Sequence, residues 1–172
     1  FKMGFGSHKS PVSKAEILQK PVHELIKFLD EFQCASFDQA LFEGKPDKEG
    51  LAGVLQAAVK DDPKKFTDEL ELFCRDGLYF YVYRILDGFQ DAWKDGKVLD
   101  WGNVLNFCLH YIQRPTFLKD AQATGDQDKT GKYIRFVHRA VDLIEDGCRD
   151  DNRAFDVKFF YTVEEIFDAI FP

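Results

Sequence analysis

What this 172-residue chain lacks narrows it first. No apolar run approaches the ~18 residues that a membrane span requires, and no secretory signal pattern is visible, so a cytoplasmic protein without membrane contact is expected. No stretch offers a run of alternating apolar and polar residues, which removes the pattern of a half-buried strand. The four cysteines, Cys34, Cys74, Cys108 and Cys148, stand 34 to 40 residues apart, with no Cys-x-x-Cys pair and no histidine at ligand spacing. That spacing supports neither a zinc site nor a redox motif and leaves four reduced, mostly buried thiols. There is no glycine-rich phosphate loop, no serine in a nucleophile elbow and no His-Glu-x-x-His. No cofactor, no metal and no enzymatic activity are therefore expected. A net charge of −7 argues against nucleic acid as the main partner, because phosphate contacts are made by clustered Lys and Arg. With a single Met, little of the pliable surface used by promiscuous peptide binders is present.

What is present is aromatic and periodic. Eighteen phenylalanines, with Leu, Ile and Val, supply an ample core. One domain of this size hides about 70% of the surface an unfolded chain exposes. The organising stretch runs from Leu78 to Ile112. At 100° per residue Leu78, Val82, Ile85, Leu86, Phe89 and Trp93 fall within roughly 100°, the width of one core-facing helical stripe. Gly96 follows as a helix stop, since glycine enters the left-handed region without a Cβ penalty. Asp100 then caps a second helix whose Trp101, Val104, Leu105, Cys108, Tyr111 and Ile112 share one face, while Phe107 and Leu109 widen it almost to a full circle. The short turn makes this an αα-hairpin with a tryptophan on each side of its corner.

Residues 1–12 show no period and read as a tail or linker; residues 13–172 read as one helical-repeat domain. Ser13-Lys14-Ala15-Glu16 is a capping box that opens a short helix. Pro21 opens a second, with Val22, Leu25, Ile26, Leu29 and Phe32 on one face. Residues 33–45 are irregular, and Phe37, Leu41 and Phe42 are expected to tuck under the helices. Pro46 opens a helix with Leu51, Val54, Leu55, Ala58 and Val59 inward. Asp62-Pro63 starts another, with Phe66, Leu70 and Phe73 inward. Beyond Pro115 a loop of about fifteen residues is expected and is the first place to look for mobility. Tyr133 to Ile144 form a wide stripe ended by Gly147. Asp156 caps a last helix on which Phe159, Phe160, Val163, Ile166, Phe167 and Ile170 face one way.

The fold class is all-α, with antiparallel helix pairs stacked as a HEAT-like α-solenoid fragment; a closed helical bundle is the alternative. The stack is favoured because adjacent pairs are about 35 to 40 residues long and two helices end in Asp-Gly.

Each candidate site has a plainer reading beside it. Asp126-x-Asp128-x-Thr130-Gly131 matches the first half of a calcium loop, but its twelfth position is Val137 instead of a bidentate carboxylate, so an acidic helix-capping loop is the reading. His138, Asp142 and Glu145 share one side of a helix and, with Arg135 and Arg139, read as a surface ion-pair face. His23 and His110 stand alone. Lys60, Lys64 and Lys65, beside Asp61 and Asp62, read as a solvated junction. The candidate partner surface is aromatic: Tyr79, Phe80 and Tyr83 point away from the core stripe of their helix, where either a neighbouring pair buries them or a protein partner docks.

Several blocks also resemble a known arrangement. Residues 10–18 (SPVSKAEIL), HELIKFL, KEGL with AAVKDDPKKF, LDW with VLNFCLHYI, and VHRAVDLIEDG at 137–147 look like successive blocks of a HEAT-like helical-repeat segment of very large prokaryotic multidomain proteins. There the segment sits beyond an NTPase or other effector domain, and some of these proteins are implicated in antiviral defence. The resemblance implies a scaffold or sensor within a longer chain and carries over no catalytic residue. Three functions follow as expectations: a non-catalytic scaffold that binds a protein partner or neighbouring domains; a segment of a defence NTPase that responds to nucleic acid or nucleotide, which requires a basic stripe; and a metal-dependent hydrolase, which requires His138 near other ligands.

Overall fold

The computed structural model describes residues 7–34, 36, 40, 42–122, 127–149 and 152–172, the side chains of 120–130 apart. Among the described residues the fold is all-α, with nine helices, two 3-10 turns and no strand; Lys9 and Pro46 form one isolated bridge. None of these helices is long and apolar enough to cross a membrane.

The local signals place the elements. Helix α1 (Lys14–Gln19) begins at the capping box, where the Ser13 hydroxyl accepts from the Glu16 amide and the Glu16 carboxylate accepts from the Ser13 amide. Helix α2 (Val22–Glu31) follows Pro21. Asp47 caps α3 (Lys48–Asp61) by accepting from the Gly50 amide at 2.7 Å, and His8 contacts the other carboxylate oxygen at 2.6 Å. Asp62 caps α4 (Pro63–Asp68), which leads into a 3-10 turn, Leu70–Phe73. Helix α5 (Tyr79–Lys94) ends as the sequence predicts. Gly96 has φ +85°, its amide donates to Trp93, and the Lys97 amide donates to Ala92. This is a Schellman closure. Asp100 caps α6 (Trp101–Gln113), every apolar residue of which is buried.

Helix α7 (Pro115–Gln122) and the first turn of α8 (Gln127–Arg149) together replace most of the expected loop. Proline at a first helical position starts α7, and the buried Phe117 ring holds it down against Tyr111, Tyr133 and Phe136. A second 3-10 turn, Val157–Phe159, capped by Asp156, leads into α9 (Phe160–Ile170).

Two further expectations are corrected. Gly147 does not end α8; it lies inside the helix, where an added Cβ would meet Trp101 at 2.5 Å and Phe155 at 2.8 Å. The residue is there for close approach, unlike Gly96. Phe42 is 85% exposed and does not tuck under the helices; Phe37 and Leu41 lie outside the described residues.

Helices α5 and α6 run antiparallel. Trp93 and Trp101 meet edge-to-face at 5.1 Å at the corner, and Tyr79 and Tyr111 interact at the far end. The Trp93 and Trp101 rings stand between the two helices at the corner. The close backbone contacts run sideways instead: α1 on α3, α3 on α5, α5 on α8, and, in the other layer, α2 on the first 3-10 turn, that turn and α4 on α6, and α6 on α9. Sideways neighbours are parallel. Glu49 of α3 meets Arg84 of α5 and Lys60 meets Asp95; Asp87 of α5 meets Arg139 of α8, and Gln90 meets Asp146. Gly88 permits the closest of these crossings, since a Cβ there would meet Val59 at 2.7 Å and the Gln56 carbonyl at 2.8 Å.

Candidate interaction groove

The aromatic surface expected on α5 is not free. Tyr83 is 6% exposed, and Tyr79 and Phe80 are half-buried against the core. The Tyr79 and Tyr83 rings lie 5.7 Å apart, Phe80 meets Tyr83 edge-on at 5.8 Å, and Arg135 and Arg139 of α8 lie in the electrostatic surroundings of Tyr79. Burial pushes the Tyr79 phenol well above its ordinary range. The neighbouring helix α8 has taken most of this patch.

The other candidates are likewise absorbed. Arg139 reaches across to Asp87 at 2.6 Å and does not join a surface face with His138. Glu145 pairs with Arg149 one turn on. Lys60 pairs with Asp95 and Lys64 with Asp68, while the Lys65 ammonium donates to the carbonyls of Ile17, Leu18 and Lys20 at the end of α1. His110 contacts Glu71 at 2.9 Å beside a polar cleft of about 470 Å³ that includes Asn103 and Asn106. The calcium-like pattern lies outside the residues whose side chains are described, apart from Gly131. Among the described residues no three His, Cys, Asp or Glu side chains gather as a metal site.

Among the described residues a large uncovered apolar feature lies on the outer side of α8 and α9. The reason is visible in α8. Its apolar residues spread over roughly 180° of the wheel, about twice the width one contact needs. Phe136, Ala140 and Leu143 are buried toward the interior, while Ile134, Val141 and Cys148 turn to the other flank. Helix α9 is divided in the same way: Ile166 is fully buried, whereas Phe160 is 49% exposed and Phe167 half-buried. Gly147, Trp101 and Phe155 seat the start of α9, with the Trp101 and Phe155 rings 5.0 Å apart, and the Tyr133 hydroxyl donates to the Ile170 carbonyl at its end.

Between the two helices runs a groove in two parts that share Val141. One, of about 670 Å³, is floored by Val141, Ile144, Val163 and Phe167; the other, of about 350 Å³, by Tyr133, Val137 and Ile170, with exposed Phe171 at its edge. Carboxylates dominate the rim: Glu145, Glu164 and Asp168 on the first part, and Asp142 beside His138 on the second. The Cys148 thiol lines the floor, its pKa raised by burial. Such a groove accepts an apolar helix face and favours cations at its edges. The sequence placed these residues on core stripes; the excess width of the α8 stripe is the signal that one side remained uncovered. The chain matches no family model, no curated protein and no solved structure, so the groove is interpreted from its own geometry.

Proposed function

We propose that this chain is a non-catalytic helical-repeat module, HEAT-like in arrangement, which works in the cytoplasm by presenting its uncovered α8–α9 face to a protein. The repeat reading is supported by a recurring step of about 35 to 40 residues. Between α3 and α5 Glu49 meets Arg84 and Gln56 meets Asp91, both 35 apart, while Arg84 also reaches Gln56, 28 away; contacts from residues 67–76 to α6 and the start of α7 span 36 to 40, as in Thr67 with Asn103 and Asp76 with Thr116. Insertion of α7 lengthens the next step, so that Gln90 and Asp146 stand 56 apart.

A second recurring device supports the same reading. Lys65 donates to the last carbonyls of α1, Lys97 to those of Lys60 and Asp61 at the end of α3, and Arg153 to Trp93 at the end of α5. In each case a cation from the following unit meets the negative end of the helix dipole in the unit before it. The resemblance to repeat segments of large prokaryotic proteins points the same way, and four free thiols, Cys34 among them exposed, suit a reducing compartment.

The observation that carries the interaction role is the apolar groove on the α8–α9 face. Replacing Phe160 or Phe171 by p-benzoylphenylalanine in cells that naturally express the chain tests it. Irradiation is expected to give discrete protein adducts at both positions and none at the equally aromatic but remote Phe42. Adducts equal at all three positions, or absent from Phe160 and Phe171, overturn the proposal.

A further inference from the structure

The arginine ion pairs of this fold share one direction, and that direction bears on what suits the groove. Arg75, Arg84, Arg114 and Arg139 each pair with a carboxylate earlier in the chain: Asp30, Glu49, Asp76 and Asp87 respectively. His110 meets the earlier Glu71 in the same sense. Arg153 reaches back to a carbonyl at the end of α5. At these junctions an earlier carboxylate is answered by a later guanidinium, while the lysine pairs Lys14–Asp61, Lys60–Asp95 and Lys94–Asp146 run the other way. The α8–α9 face has the first half of that pattern. Its floor is apolar, and of its rim carboxylates Glu145 is held by Arg149, while exposed Asp142, Glu164 and Asp168 have no cationic partner among the described residues.

Resting on the interaction role above, we propose that the groove is the docking site for an amphipathic helix of a protein partner that carries arginine or lysine along both edges of its apolar stripe. The occupant lies along α8 from Tyr133 to Cys148, a length that takes a helix of about 16 residues. Its apolar face covers Val141, Val163 and Phe167, and its cations meet Asp142 on one side and Glu164 and Asp168 on the other. A second copy of this chain is a poor occupant. Groove against groove would bring two acidic rims together, and the outer residues of α1 and α2 include exposed Glu16, Glu24 and Glu31 beside Lys14 and Lys27. Like charges facing across an interface oppose association.

The test uses the whole chain and a fluorescent, end-blocked peptide of about 16 residues, with leucines at helical spacing flanked by lysines, followed by anisotropy. A matched peptide has glutamates in place of the lysines. The lysine peptide is expected to bind one to one, to weaken as salt is raised, and to bind better than its glutamate counterpart. Glu164→Lys with Asp168→Lys is expected to weaken it by about tenfold or more and to favour the glutamate peptide instead. Both positions are exposed, and a lysine at 168 suits the C-terminal end of α9, so folding is preserved. Glu24→Lys with Glu69→Lys changes net charge equally at remote exposed sites and is expected to leave affinity unchanged; Phe167→Ser is expected to weaken both peptides. If the remote pair weakens binding as much as the rim pair, attraction is to net charge and the proposal fails. It also fails if rim and floor variants leave binding intact, or if sedimentation shows a self-associated chain that the rim variant dissociates. Photo-adducts at Phe160 without any dependence on rim charge would retire the basic helix and leave the interaction module standing, whereas absence of adducts retires the module itself.

Discussion

Asp87 lies where α5 and α8 meet, with its carboxylate oxygen 2.6 Å from Arg139 Nε but without the alignment of a hydrogen bond. Burial raises its pKa above the ordinary 3.8, and the nearby Arg139 and Arg84 only partly offset this. A folded pKa above the unfolded value means that the proton is held more tightly in the fold. The stability it contributes is complete below the unfolded pKa and is lost as pH rises through the folded one. At neutral pH the charged carboxylate is therefore a net burden despite its partner. Asp87→Asn is expected to fall within about 1 kcal/mol of the parent chain or above it at neutral pH, because Arg139 is 38% exposed and can turn to water. The balance should move toward the parent as the pH falls below about 4. Urea unfolding at both pH values measures this, and a large loss at neutral pH would mean that the guanidinium outweighs desolvation. Asp87 also marks a limit of sequence reading. Ser13, Asp62, Gly96 and Asp100 were legible because their partners are within a few residues; Lys65, Lys97 and Arg153 were not, because the carbonyls they serve lie 36 to 60 residues away.

At the scale of elements, the contact between α3 and α5 depends on one missing side chain. Gly88 lets the helices approach until a Cβ would stand 2.8 Å from the Gln56 carbonyl, an atom of the backbone that cannot rotate away. Gly88→Ala, although it favours helix locally, is expected to cost about 1–3 kcal/mol by forcing the two helices apart. Gly53→Ala on α3, with nothing within 4 Å of its added Cβ, should be neutral or stabilising. Thermal or urea denaturation of the pair checks the contrast, and equal behaviour would show that the crossing is slack. Helix existence and inward faces were readable from period alone: Leu78 to Phe89 and Trp101 to Ile112 are buried as their stripes require. Which helix covers which face was not. The stripe on α8 gives its width but not its partners, and the paired aromatics Tyr79 and Tyr83 offered no local sign that α8 would cover them. The Asp-Gly pairs make the same point. Asp95-Gly96 stops a helix, while Asp146-Gly147 continues one because Trp101, far away in sequence, needs the space.

For the whole molecule the difference between a closed bundle and an open stack lies in how opening is distributed. A bundle shares one core, so its helices are lost together. In a stack each unit is held by its neighbours, and stability declines toward an end with an uncovered side. Here α5 has close backbone neighbours on two sides, α3 and α8, whereas the outer side of α8 and α9 faces solvent across an apolar groove. Among the described residues the side-chain links between neighbouring helices, Arg84 to Glu49 and Arg139 to Asp87, have no counterpart across this face. Native-state hydrogen exchange in rising urea is expected to find the amides of α3 and α5 exchanging only by global unfolding. Those of α9 and the second half of α8 should exchange through a smaller opening, with a lower free energy and a shallower dependence on urea. Occupation of the groove should shift that smaller opening toward the global value, because a ligand that binds only the closed face stabilises it in proportion to its saturation. If all helices converge on one free energy and one slope without any ligand, the chain unfolds as a closed bundle, and the uncovered face is then a surface of a single core and not the end of a stack.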